Sequence, residues 1–107
     1  ESSAQIRERV EKARAIQAER FKDCKGVHCN AQMTDAQIQT YATPDAAGEN
    51  LLRLAIRKHD LSARAYNRIL KVARTIADLE GTEYIMLPHI SEAVGYRNLD
   101  RSDWGER

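Results

Sequence analysis

The apolar positions of the chain recur at steps of three and four residues over most of its length, which is the period of amphipathic helices. The strongest pattern covers residues 63–80, with Ser62 as a suitable N-cap and Gly81 as a suitable C-terminal stop. Its apolar stripe consists of Ala65, Tyr66, Ile69, Val72, Ala73, Ile76 and Ala77. We therefore predict one long helix over this segment.

Four further helical patterns flank this segment. They cover residues 2–23, 34–41, 45–58 and 88–95. Each begins near a Ser, Thr, Asp or Pro, the residue types that cap or start helices well. Gly95 is expected to end the last of these helices. Residues 24–33 show no period and are predicted to form a loop.

The composition favours one small all-α domain. The chain has 107 residues, of which 42% are hydrophobic and only 6% aromatic, so Ala, Leu, Ile and Val must build its core. Five Gly and two Pro are too few for the many turns of an all-β sandwich. We predict a single all-α bundle of four to five helices over residues 1–97, followed by a flexible C-terminal tail over residues 98–107.

Membrane, metal and catalytic functions find little support in the sequence. It has no run of 18 apolar residues and no secretory leader, so we expect a cytoplasmic protein without a membrane partner. Cys24 and Cys29, with His28 beside them, lack the second ligand pair of a structural zinc site. We therefore expect no metal and two free thiols, although a local disulfide is sterically conceivable. No phosphate-binding loop, nucleophile elbow or zinc-protease helix occurs, and no catalytic residue is predicted.

The formal charge of +1 conceals an uneven distribution. Residues 53–74 carry a formal charge of +6, whereas residues 78–107 carry −4. The side of the 63–80 helix opposite its apolar stripe is polar and basic, with Arg64, Asn67, Arg68, Lys71, Arg74 and Thr75. From this basic ridge we predict a surface for nucleic acid or a partner protein, formed by Arg68, Lys71 and Arg74.

Arg64 occupies a position that disfavours cations. It follows Ser62 by two residues and so falls in the first helical turn, where the partial positive charge of the helix end opposes a cation by roughly 0.3–1 kcal/mol. An arginine beside exposed backbone amides is well suited to an anion such as a phosphate. The alternative is a surface arginine that reaches an acidic neighbour.

Three stretches carry a resemblance to a known family. They are LSARAYNRILKVARTIADLEG at 61–81, HISEAVGYR at 89–97 and ESSAQIRERVEKAR at 1–14. Together they resemble the C-terminal part of the magnesium-chelatase-like AAA+ ATPases, in the ComM/YifB branch. The resemblance covers nearly the whole chain, although the loop that contains Cys24 and Cys29 is not a family feature.

The resemblance implies the fold and role of the helical lid that closes over ATP in these enzymes. It implies that Arg64 is the sensor 2 arginine, which reaches the γ-phosphate. Arg68 is a second nucleotide-binding candidate, which could instead face a neighbouring subunit. The ATPase core that binds ATP and Mg²⁺ would precede residue 1, and the initial Glu fits a piece of a longer protein. We expect this piece to bind no cofactor and to have no enzymatic activity by itself.

The same resemblance implies partners for the whole protein. It implies a homo-oligomeric ring, expected to be a hexamer, in which the lid contacts its own core and the neighbouring subunits. The ComM branch implies a motor that acts on DNA in competence, through branch migration. The alternatives are a stand-alone basic helical module that binds DNA, or the lid of a true magnesium chelatase subunit. The basic ridge could also dock an acidic partner surface.

Overall fold

The computed structural model describes the backbone of residues 2–104 and the side chains of residues 2–95. Its five α-helices are α1 (Ser3–Arg20), α2 (Asp35–Tyr41), α3 (Ala46–His59), α4 (Ala63–Glu80) and α5 (Leu87–Trp104). A short 3₁₀ turn at Asn30–Gln32 interrupts the predicted loop. Within the described backbone there is no strand, and an isolated parallel bridge joins Pro44 to Ile85. The predicted all-α bundle is confirmed.

The helix starts follow from capping side chains. The hydroxyl of Ser62 accepts a hydrogen bond from the backbone N–H of Ala65 at 3.2 Å and begins α4. Gly81 ends α4 in the left-handed conformation with φ 76°, which glycine adopts without steric cost. Thr34 and Gln37 exchange two hydrogen bonds at the start of α2 as a capping box. The bounds predicted for α4 are therefore confirmed.

Helix α4 lies at the centre of the bundle. It packs against α1 and α5 and contacts α2 and the 3₁₀ turn, while α3 packs on α5. Ile69, Ala73 and Ala77 of α4 are buried in the core together with Leu52 of α3 and Ile90 of α5. The small side chains let the neighbouring helices approach closely, so the core uses little aromatic volume.

Gly48 lies where α3 crosses α5. A Cβ at this position would lie 3.1 Å from Cγ1 of Ile90 and 2.8 Å from Oδ1 of Asp45. That carboxylate oxygen accepts the backbone N–H of Gly48 as the cap of α3. The glycine costs α3 about 1 kcal/mol of helix propensity, and close packing together with the cap explains why it is tolerated.

A buried polar network joins α1 to α4. Asp78 is 1% exposed, and its two carboxylate oxygens accept hydrogen bonds from Arg20 of α1, both at 2.8 Å. Asn30 donates to the same carboxylate at 2.8 Å and to Thr75 at 3.1 Å. Because each partner comes from a different segment, the network fixes α1, the 3₁₀ turn and the C-terminal half of α4 as one unit.

Two expectations about the helix ends are wrong. The last helix continues past Gly95 to Trp104, because Gly95 does not adopt the left-handed conformation that would end it. Residues 98–104 of the expected tail are therefore helical, and residues 105–107 lie outside the described residues. Helix α1 ends at Arg20 rather than at residue 23, since Phe21 leaves helical geometry as its C-cap.

The apolar stripe of α1 is covered only in part. Ala13 and Phe21 are buried, whereas Ile6 is 45% exposed. The N-terminal half of α1 therefore extends beyond the core that the described residues form.

Among the described residues, no helix combines the length and the apolar character that crossing a membrane requires.

Candidate functional site

A groove of about 790 Å³ runs along the outer side of α4 and contains most of the predicted site residues. Helix α4 contributes Arg64, Asn67, Arg68, Lys71, Val72, Thr75, Ile76 and Leu79 to its lining. Ala31 of the 3₁₀ turn, Asp35 of α2 and Glu92 of α5 complete it. Basic side chains therefore line the N-terminal part of the groove, and apolar side chains line its C-terminal part.

Arg64 is exposed at the second position of α4. It makes no hydrogen bond and no ion pair with any side chain that the structure describes. The acidic neighbour of the alternative explanation is thus missing from residues 2–95. A cation without a partner, beside the first amides of a helix, forms a local positive potential that suits an oxyanion.

Two of the polar residues that follow Arg64 in the groove, Asn67 and Lys71, bond to neighbouring segments. Nδ2 of Asn67 donates to Oδ1 of Asp35 at 3.0 Å, and Nζ of Lys71 donates to the carbonyl oxygen of Ala31 at 3.1 Å. These bonds tie α2 and the 3₁₀ turn to the first half of α4. Lys71 and the neighbouring Arg68 are both half-buried in the groove wall. The helix that carries Arg64 is thereby joined to residues 31–35.

Arg74 is not part of any surface, and its assignment to the basic ridge is wrong. Its side chain is 5% exposed, and its guanidinium donates to the carbonyl oxygens of Tyr41 at 3.1 Å, Glu83 at 2.8 Å and Thr82 at 2.8 Å. Its Nε lies 3.2 Å from Oδ1 of Asp78. Burial lowers the pKa of Arg74, and the Asp78 carboxylate opposes that shift. Arg74 thus holds the loop between α4 and α5 against the core.

One sequence signal indicates this structural role. Asp78 follows Arg74 by four residues, and both flank the small buried residues Ala73 and Ala77. A charged side chain that is buried beside small core residues requires a counter-charge, because an unpaired charge in the interior of a protein is costly in free energy. No comparable sequence signal marks Asn30 or Arg20 as the other partners of Asp78.

Cys24 and Cys29 are free, half-buried thiols. Among the described residues, no three His, Cys, Asp or Glu side chains are grouped so that they could hold a metal ion. His89 is buried elsewhere, where its Nδ1 accepts the backbone N–H of Met86 at 2.9 Å and its Nε2 lies 3.0 Å from Glu80. The described charged side chains that line the groove are three cations and two carboxylates: Arg64, Arg68, Lys71, Asp35 and Glu92.

Comparison with known proteins gives the family. The family model described as "Magnesium chelatase, subunit ChlI C-terminal" matches residues 1–97. The chain belongs to this family. This magnesium chelatase C-terminal domain is 45% identical over 101 residues to the competence protein ComM of Haemophilus influenzae. It is also 37% identical over 101 residues to the uncharacterized protein YifB of Escherichia coli.

These relatives are much longer than the domain. Each match covers 94% of this chain but only 19% of the relative, so the domain spans about a fifth of their length. An uncharacterized protein of Mycobacterium tuberculosis H37Rv is 32% identical over 97 residues with the same 19% share. The resemblance to the magnesium-chelatase-like family in its ComM/YifB branch is confirmed.

Proposed function

We propose that this domain is the lid of an AAA+ ATPase and that Arg64 is its sensor 2 arginine. In this function, the guanidinium of Arg64 binds the γ-phosphate of an ATP molecule held by the ATPase core of the parent protein. The observation that carries the proposal is the exposed Arg64, which lacks a partner among the described side chains at the start of the central helix. Arg68, one turn further along the same groove, is the second nucleotide-binding candidate.

The network around Asp78 supplies the coupling between phosphate binding and motion. Arg64 lies at one end of α4, and Arg20, Asn30 and Arg74 hold the other half of that helix to α1 and to the loops. A pull on Arg64 therefore moves the domain as one body rather than bending a single helix. Binding of ATP would close the lid, and loss of the γ-phosphate would release it.

The parent protein would supply what this domain lacks. Its core would hold ATP and Mg²⁺ and the catalytic groups, while the lid contributes binding and positioning. We propose a homo-oligomeric ring, a hexamer, in which lids and cores of neighbouring subunits touch. A role in competence is supported by the 45% identity to a protein named for competence, and we propose that the parent acts on DNA in that role. The chelatase role is the alternative, since the family description names a magnesium chelatase subunit.

The test is an alanine substitution in the full-length parent protein. Arg64→Ala is expected to lower the ATPase turnover number by about 100-fold, the effect of removing one donor from a developing charge. Arg64→Lys keeps the charge but loses the planar fork that binds two oxygens, so it should restore only part of the activity. The measurement is steady-state hydrolysis, with the unfolding temperature of each variant as a check on folding.

Arg14→Ala is the matched control, because Arg14 is an exposed arginine of α1 outside the groove. We expect it to retain the turnover of the unsubstituted protein. Unchanged hydrolysis in Arg64→Ala, or an equal loss in Arg14→Ala, would remove Arg64 from the sensor role.

A further inference from the structure

The outer face of α3 carries a second concentration of positive charge, separate from the groove on α4. This face, formed by Arg53, Leu54, Arg57 and Lys58, lies opposite the buried side of α3. All four residues are exposed, and Leu54 is 58% exposed. A single exposed apolar side chain is common on protein surfaces, so the charge of this face carries the argument.

Few carboxylates balance these cations. Nε of Arg53 lies 3.2 Å from Oε1 of Glu49, one turn earlier on the same helix. Arg57 and Lys58 have no ion-pair partner among the side chains of residues 2–95. Asp60 borders the same shallow concavity as Arg53 and Arg57. The face is therefore positive in sum, even though one of its cations is paired.

Helix electrostatics explains only part of this arrangement. The partial negative charge at a helix C-terminus favours Arg57 and Lys58 in the last turn by roughly 0.3–1 kcal/mol each. It does not account for Arg53, which lies two turns from the end of α3. The burial of Arg74 and the bond from Lys71 to Ala31 also reduce the basic ridge on α4. The basic ridge on α4 is therefore less exposed than its sequence suggests, whereas Arg53, Arg57 and Lys58 of α3 are all exposed.

We propose that the outer face of α3 binds the phosphate backbone of DNA. Arg53 and Arg57 lie on successive turns, so they can contact neighbouring phosphates of one strand, and Lys58 adds a third contact. Leu54 would cover apolar sugar surface between them. Such contacts fix the position of the duplex without reading its sequence. The proposal rests on the proposed role of the parent on DNA and adds the surface of the lid that meets it.

The first experiment measures binding of the 107-residue chain to a fluorescently labelled duplex of about 20 base pairs by anisotropy. Three phosphate contacts predict an affinity about 40-fold weaker at 200 mM than at 50 mM salt. Substitution of Arg53, Arg57 and Lys58 by Gln should weaken binding at 50 mM salt at least tenfold and flatten the salt dependence by about one unit of slope per residue. Amide chemical shifts should change along α3 when DNA is added.

The matched control removes the same amount of charge from α1. Arg7, Lys12 and Arg14 are exposed, and their replacement by Gln should reduce affinity by less than twofold. Equal losses in both variants, or no binding at 50 mM salt, would overturn the proposal. The proposal is also overturned if the α3 variant of the full-length protein binds DNA normally but fails to assemble, because the face would then dock an acidic protein surface. None of these outcomes bears on ATP hydrolysis in Arg64→Ala, so the two proposals fail independently.

Discussion

Among the individual residues, Asp78 supplies the buried carboxylate that Arg20 and Arg74 share. Arg20 and Arg74 both contact its carboxylate, and its side chain is 1% exposed. Removal of one partner from a buried ion pair leaves an uncompensated charge and costs far more than the pair itself contributes. The carboxylate of Asp78 therefore contributes to holding α1 against α4.

This role predicts a large effect of a nearly isosteric substitution. Asp78→Asn should lower the free energy of unfolding by about 3–5 kcal/mol, because Arg20 and Arg74 remain buried without a counter-charge. Glu8→Gln breaks only the exposed pair with Lys12 and should cost less than about 1 kcal/mol. Urea denaturation measures the free energy of unfolding of both variants. An equal decrease in both would mean that the network around Asp78 contributes no more to stability than an exposed ion pair.

Individual site residues differ in how well the sequence predicts them. Arg64 could be placed because Ser62 defines the start of α4, and a position in the first turn follows from that start alone. The burial of Arg74 could not be predicted from the sequence. It depends on the carbonyl groups of Tyr41, Thr82 and Glu83, which come together only in the folded chain. A helical pattern places a cation on the polar side of the helix, but it contains no information about carbonyl groups from other segments that bind the cation there.

Among the helices, two glycines show how packing overrides propensity. Gly48 lies inside α3 against Ile90, whereas a Cβ added to Gly95 inside α5 would have no described atom within 4 Å. A substitution by Ala should therefore change the free energy of unfolding in opposite directions at the two positions. Helix propensity by itself ranks both glycines as weak points of their helices.

Alanine substitutions test this difference. Gly95→Ala should raise the free energy of unfolding by up to about 1 kcal/mol through helix propensity. Gly48→Ala should lower it by about 1 kcal/mol, since crowding of Asp45 and Ile90 costs more than the propensity gain. Urea denaturation measures both. An increase in stability for both variants would show that α3 and α5 can separate slightly without loss.

The helix bounds illustrate what local sequence determines. Capping side chains and the left-handed Gly81 define α2, α3 and α4 closely, because the signals act within a few residues. The end of α5 does not follow from Gly95, because a glycine stops a helix only when its backbone leaves the right-handed region. That choice depends on surroundings beyond the local pattern.

As a whole molecule, the domain carries Arg64, the arginine proposed to bind phosphate, at one end of its central helix. Helix α4 connects Arg64 to the buried network around Asp78, and bonds from Asn67 and Lys71 fix α2 and the 3₁₀ turn beside it. Binding of a phosphate to Arg64 would thus move the whole domain. The charged face of α3 would move with it, which would link nucleotide state to any DNA held there.

The position of the lid in the full-length protein tests whether Arg64 closes it. In the full-length protein, Cys24 and Cys29 are replaced by Ser, and one spin label is attached through Ala18→Cys at an exposed position of α1. A second label is attached to the ATPase core of the parent protein. The distance between the labels should be shorter with a non-hydrolysable ATP analogue than with ADP. Arg64→Ala should abolish this difference while Arg14→Ala keeps it. An equal shortening in Arg64→Ala would show that the lid closes without its arginine.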